Sequence, residues 1–188
     1  MDNRAKLLDC ALALFASRGY DAVGIQEVVE AAGVTKPTLY HYFGSKRGLL
    51  DALLGKYFAE VLSEERRTAD YHGDLPLTLT KVTQSYFAFG CKYPNFYRLQ
   101  LAMHFAPPES ECNQAVSTYS LEQHRILEEM FRQAVTQHGN MRGRENAYAA
   151  TLLGMINTYI GIFLNGHIQL EDELVYKAVH QFMHGIFS

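Results

Sequence analysis

Gly33-Val34-Thr35-Lys36-Pro37-Thr38-Leu39-Tyr40-His41-Tyr42-Phe43-Gly44-Ser45-Lys46 reads as a short capped helix set between two glycines. Thr35 stands at the N-cap, where its hydroxyl is expected to accept from a first-turn amide. Pro37 follows in the turn whose N–H groups need no helical partner. Val34 and Leu39 occupy the two positions of a hydrophobic staple. Leu39 and Phe43, one turn apart, share the face expected to anchor the helix, which leaves Thr35, Lys36, Thr38, Tyr40, His41 and Tyr42 toward the outside. Lys36 and Lys46 can neutralise phosphates, hydroxyls can bond phosphate oxygens, and Thr38 can meet a base edge or a thymine methyl. The outer face therefore has the chemistry of a nucleic-acid contact.

The flanking sequence supplies the frame for that helix. Ile25, Val28, Val29 and Ala32 fall at helical spacing, and Gly33 follows as a residue able to take positive φ. Helix, glycine turn and capped helix are the layout of a helix-turn-helix. An earlier amphipathic segment carries Leu8, Ala11, Leu12 and Phe15 on one side, with Gly19 just past its end. Three short helices are expected to enclose Leu8, Leu12, Phe15, Ile25, Val28, Leu39 and Phe43.

Over residues of roughly 4 to 50 the chain resembles the DNA-binding domain of the TetR/AcrR (tetracycline-repressor) family of bacterial transcriptional regulators. The likeness runs through Phe15, Gly19-Tyr20, Ile25, Ala31-Ala32-Gly33-Val34, Thr38-Leu39-Tyr40, Tyr42-Phe43, Ser45-Lys46 and Leu49-Leu50. It implies a homodimer that places one recognition helix per subunit, Lys36 to Tyr42, in successive major grooves of a near-palindromic operator. It also implies that Thr35, Lys36, Pro37, Thr38, Tyr40, His41, Tyr42 and Lys46 face DNA, together with Gly24 and Gln26 at the start of the second helix. Gly24 stands where members usually carry Ser or Thr, so a side-chain phosphate contact is expected to be lost there, leaving backbone amides to meet a phosphate. Val23 likewise replaces a frequent Thr.

Composition bounds the rest. A chain of 188 residues with 48% hydrophobic content can bury a sizeable core. The net charge of −3 argues against a sequence-blind nucleic-acid coat. Residues 1–56 hold seven Lys or Arg against six acids, and the remainder ten against fourteen, so the reader carries +1 and the rest −4. No uninterrupted apolar run of bilayer length is read, and Asp2, Arg4, Lys6 and Asp9 break up any signal-peptide core. A cytoplasmic location without a membrane partner is expected.

Beyond Lys46 the pattern is helical throughout. A linking helix is expected from Ser45 to about Arg67, with a stripe of Leu49, Leu50, Leu53, Leu54, Tyr57, Phe58 and Val61. Turns at Gly73-Asp74 and Pro76, Tyr93-Pro94, Pro107-Pro108 and Gly139 with Gly143 divide the remainder into helices over about 76–92, 94–104, 109–138, 144–167 and 171–186. The expected fold is all-α, with about nine helices: a helix-turn-helix domain over 1–46, then a helical effector-binding and dimerisation domain over 47–188.

The stretch from Tyr86 to Phe105 is dense in aromatic residues. Taken one at a time, these residues are most simply core. As a set, Tyr86, Phe89, Tyr93, Phe96, Tyr97, Gln100 and Met103 are expected to line a cavity for a small apolar or aromatic effector. Tyr119, Gln123, Met130, Met155 and Tyr159 join them from later helices. Gly154, Asn157, Gly161 and Leu164 share a face suited to close helix approach, and Val175, Val179, Phe182, Met183 and Ile186 add apolar area on the last helix; these are the expected homodimer surface.

Signals for other chemistry are weak. His180 and His184 form an i, i+4 pair without a neighbouring carboxylate or Cys, so no metal is expected. Cys10, Cys91 and Cys112 lack CxxC spacing and read as thiols, with a Cys91–Cys112 switch as the less favoured reading. Phosphate-cradling glycine loops and nucleophile motifs are absent, so neither enzyme activity nor a cofactor is expected. The competing reading from another class is a helical carrier for a hydrophobic molecule, which would make Lys36, Tyr40 and Tyr42 irrelevant.

Overall fold

The computed structural model describes residues 2–185; Ile186 lies outside them. Among the described residues there are nine α-helices, one short 3-10 turn and no strand. They are α1 (Asn3–Arg18), α2 (Ile25–Ala32), α3 (Lys36–Phe43), α4 (Lys46–Thr68), α5 (Leu75–Lys92), α6 (Pro94–His104), α7 (Glu111–Ala134), the 3-10 turn Gly139–Met141, α8 (Glu145–Leu164) and α9 (Asp172–His184). The chain forms two compact units, one of residues 1–59 with 95–118 and one of residues 60–94 with 119–188.

In the first unit the short helices are set by their caps. Asp2 accepts from the Arg4 amide at 3.3 Å and starts α1. Gly33, at φ 65° and ψ 35°, ends α2 in the left-handed region. Its amide donates to the Glu30 carbonyl at 3.1 Å, and that of Val34 to Val29 at 2.9 Å, which satisfies two of the last carbonyls of α2 and turns the chain into α3. Thr35 does occupy the N-cap of α3 in extended conformation, but its hydroxyl is not spent on an amide: it pairs with the Thr38 hydroxyl at 2.9 Å. α1 packs on α2 and α3, burying Leu8, Leu12, Phe15, Val28 and Leu39. Ile25 and Phe43 are only half-buried, because each sits at the end of an eight-residue helix. Leu7 and Val23 complete the core instead.

At the α3–α4 junction, Ser45 Oγ accepts from the Gly48 amide at 2.9 Å. A Cβ on Gly48 would stand 1.9 Å from the Phe43 carbonyl oxygen, which is backbone and cannot rotate away. Gly48→Ala is expected to destabilise the first unit by about 1–3 kcal/mol through overpacking. A thermal melt would check this, and an unchanged midpoint would mean that the junction relaxes without cost.

The first unit also takes in α6. Phe96 is fully buried, stacked on Tyr57 at 4.5 Å and edge-on to Phe58 at 5.4 Å. In the second unit α5 packs on α8 and α9. Asp74 caps α5 by accepting from the Leu77 amide at 2.9 Å. Phe131 of α7 gathers Tyr148 at 5.6 Å and Phe182 at 6.1 Å. α8 is long and apolar enough, by length and composition, to cross a membrane. Within this unit its Leu152, Ile156 and Ile160 are core residues packed inside the protein.

Candidate functional site

The outer face of α3 presents the side chains expected there. Lys36, Pro37, Tyr40, His41 and Tyr42 are exposed, Tyr40 to 47% and Tyr42 to 38%, while Thr38 is half-buried beside Thr35. His41 and Tyr42 pack edge to face at 5.4 Å. Leu39 is the single buried residue of α3 and, with the half-buried Thr38 and Phe43, sets the presenting surface against the core.

At the start of α2 the N-cap glycine is tied to the first turn. Gly24 N–H donates to Glu27 Oε1 at 3.0 Å, and Gln26 is hydrogen-bonded to Glu30. The Gly24 amide, together with the Arg18 guanidinium that pairs with Glu27, holds that carboxyl below the usual carboxylate range. The carboxylate thus supplies one half of a capping box, on the N-cap amide, while no side chain caps the first-turn amides of α2.

Lys46 is held by contacts that sequence reasoning did not assign. Its Nζ lies 4.2 Å from the centre of the Tyr20 ring, a cation–π contact. The Tyr20 hydroxyl donates to Glu111 Oε2 at 2.6 Å, and Arg47 Nη1 donates to the Glu111 carbonyl at 3.3 Å. Burial first, and then the Glu111 carboxylate, push the Tyr20 phenol far above its usual range. The first residue of α7 therefore orders the ring on which Lys46 rests. The Gly19-Tyr20 pair was visible as a motif; its partner 91 positions later was not.

The residues expected to line one effector cavity fall into both packing units. Phe96, Tyr97, Gln100 and Met103 lie buried in the first. In the second, Tyr86, Phe89, Gln123 and Met130 are buried, and Tyr93, Tyr119, Met155 and Tyr159 are half-buried. Gln123 Nε2 donates to Tyr86 Oη at 2.8 Å, and the Phe89 and Tyr93 rings meet edge to face at 5.1 Å. The second unit carries a groove of about 520 Å³ between α4 and α7, with Met130 in its wall. A smaller one of about 200 Å³ lies between α4 and α5, with Phe89 in its wall.

On the expected dimer surface, Gly154 is exposed, and Asn157, Gly161, Leu164 and Phe182 are half-exposed. A Cβ added at Gly154 or Gly161 would meet nothing within 4 Å. Met183 is exposed, but Val175 and Val179 are taken up by the unit's own core, since α9 turns that face toward α5. The His180 and His184 rings lie 4.5 Å apart, tilted by 41°, and no group of three metal-ligating side chains occurs among the described residues. Cys10 is half-buried, Cys91 exposed and Cys112 buried, all as free thiols.

Comparison with known proteins places this geometry. The family model for bacterial regulatory proteins of the tetR family matches residues 7–53, which contain α1 to α3 apart from the first turn of α1. The HTH-type transcriptional repressor KstR2 of Rhodococcus jostii is 34% identical over 91 residues, 48% of this chain and 45% of that protein. The HTH-type transcriptional activator FasR of Mycolicibacterium smegmatis is 34% identical over 88 residues, covering 47% and 40%. Each match thus spans less than half the length of the relative. The crystal structure of FadR from Bacillus subtilis in complex with stearoyl-CoA shares the fold over 97% of this chain and 98% of that one, with a TM-score of 0.80 at 18% identity. Residues 7–53 thus carry the helix-turn-helix of the tetR family of bacterial regulatory proteins, and the helical fold is shared with a solved structure along nearly the whole chain.

Proposed function

We propose that the protein is a DNA-binding transcriptional regulator that works as a cytoplasmic homodimer and is released from a near-palindromic operator by a small apolar or aromatic effector. The observation that carries this reading is α3: eight residues anchored by Leu39, with Lys36, Tyr40, His41 and Tyr42 exposed on its outer face. Residues 1–46 act as the reader and 47–188 as the effector and dimer part. The glycines of α8 and the exposed Met183 supply the self-complementary surface. Repression is the expected sign.

Release follows from linkage. An effector that favours a conformer whose recognition helices miss half-sites about 34–36 Å apart lowers operator affinity, and the operator lowers effector affinity by the same factor. The Glu111–Tyr20–Lys46 chain of contacts is one route by which α7 bears on a phosphate-contacting residue.

Selection of bound duplexes from a random pool, followed by a salt titration, tests the reading. A near-palindromic site supports it; binding without sequence enrichment would favour the carrier. On the selected site, Lys36→Ala is expected to weaken binding to all sequences and to reduce the log–log salt slope by about 2, one phosphate contact per subunit. Thr38→Ala should keep the slope and relax discrimination at one base position per half-site. Identical behaviour of the two variants would refute the division into phosphate and base contacts.

A further inference from the structure

Glu65 of α4 is the polar group of the second unit that nothing above explains. The residue is 1% exposed, and neither carboxyl oxygen has a partner at full hydrogen-bond geometry, the Tyr86 hydroxyl being the donor that favours its charged form. A buried carboxylate without a partner is costly, so the group responds by holding its proton. Burial pushes it up to about 8, with Glu122 adding to the rise and the Tyr86 hydroxyl and Arg66 opposing it. Near neutral pH it is an uncharged acid inside a helical core.

Its surroundings are those of a recognition point. Tyr86 of α5 and Gln123 of α7 are both buried, and they are joined to each other by the 2.8 Å hydrogen bond, so the Gln123 amide is spent on Tyr86. One residue along from Glu65 and from Gln123, Arg66 and Glu122 form an ion pair between α4 and α7 at 2.6 Å. Both line the 520 Å³ groove, with Ala69, Ile126 and Met130 as apolar wall. This pair is about half exposed, and surface pairs of this kind hold by about 0–1 kcal/mol, so it opens at little cost.

Resting on the ligand-responsive reading above, we propose that the α4–α7 groove is the mouth of the effector site, that the buried Glu65 carboxyl is its anchor, and that it takes an apolar molecule ending in a primary ammonium group. An ammonium has three donors and no acceptor, so it can satisfy both unpartnered oxygens. An alcohol has one donor, and a carboxylate has none. As the ammonium enters, Glu65 gives its proton to solvent and becomes the counter-ion; the ligand keeps all of its own protons. One proton leaves for each molecule bound.

Isothermal titration of the full-length protein at neutral pH, in two buffers of different ionisation enthalpy, tests this with three probes of one shape: phenylbutylamine, phenylbutanol and phenylbutyrate. The amine is expected to bind at least about tenfold tighter than the alcohol, in keeping with a hydrogen bond to a charged group, and to release close to one proton. Glu65→Gln should abolish the proton release and weaken amine binding by about the same factor, with alcohol binding unchanged. Equal binding of amine and alcohol, amine binding without proton release, or no amine binding overturns the proposal; the first and second readouts need only the wild-type protein. Operator anisotropy in the same titrations separates the two readings. Glu65-dependent amine binding that leaves operator affinity unmoved keeps the anchor and removes the effector role. Operator release by the alcohol or the carboxylate but not by the amine keeps the effector reading and removes the anchor.

Discussion

Leu39→Ala is expected to abolish operator binding at physiological temperature while leaving the second unit folded. Leu39 is fully buried and is the only buried residue of α3. Removing a core leucine costs about 3–5 kcal/mol, from lost transfer energy and the cavity left behind, against a domain stability of about 5–15 kcal/mol. An eight-residue helix has no independent stability, so the loss falls on α3 itself. The second unit has its own core around Phe131, Ile156 and Ile160, which the substitution does not touch. Hydrogen exchange should show the α3 amides opening first, with α8 amides protected as in the wild type. Wild-type operator affinity in this variant would mean that something other than Leu39 holds α3.

The second large effect concerns Glu65 and pH. In the unfolded chain its carboxyl titrates near 4.5, whereas in the fold burial moves it up to about 8. Between those values the folded state holds a proton that the unfolded state has lost, so stability falls as pH rises through this window and levels off above it. The contribution reaches on the order of 3 kcal/mol by neutral pH. Urea denaturation at several pH values, wild type against Glu65→Gln, isolates it. The variant should gain on the wild type steadily as pH rises, whatever its stability at the acid end, because glutamine does not titrate. A difference independent of pH would show that Glu65 is ionised or partnered in the folded protein.

Much of the fold was legible because its signals are local. Gly33 stops α2, Pro76 and Pro94 open α5 and α6, and the apolar spacing of Leu49 to Val61 gives α4 a buried face. Each is a matter of a few neighbouring residues and the allowed φ and ψ. The reading failed where two partners compete for one group. Thr35 can cap an amide or meet another hydroxyl, and only the placed side chain of Thr38 decides between them. Likewise the Gly24 amide can face outward or meet the Glu27 carboxylate, and the placed side chain of Glu27 takes it.

The candidate effector site shows the same limit at longer range. Aromatic density marked Tyr86 to Met103 as a set, but density does not say that Phe96 packs on Tyr57 in one unit while Tyr86 meets Gln123 in the other. Val175 and Val179 looked like dimer surface because helical spacing alone does not tell an inward face from an outward one. Glu65 lies in the run Glu64-Glu65-Arg66-Arg67, which in sequence is an exposed, solvated stretch of charge.

By itself, the sequence determined that the chain is helical, where most helices stop, and which helix offers a cationic, hydroxyl and aromatic face, since capping, periodicity and glycine conformations act over one or two turns. Only the tertiary structure decided which polar groups are buried and with whom. Burial depends on helices that arrive from distant parts of the chain, as α5 and α7 do to enclose a carboxyl that α4 alone would leave in water.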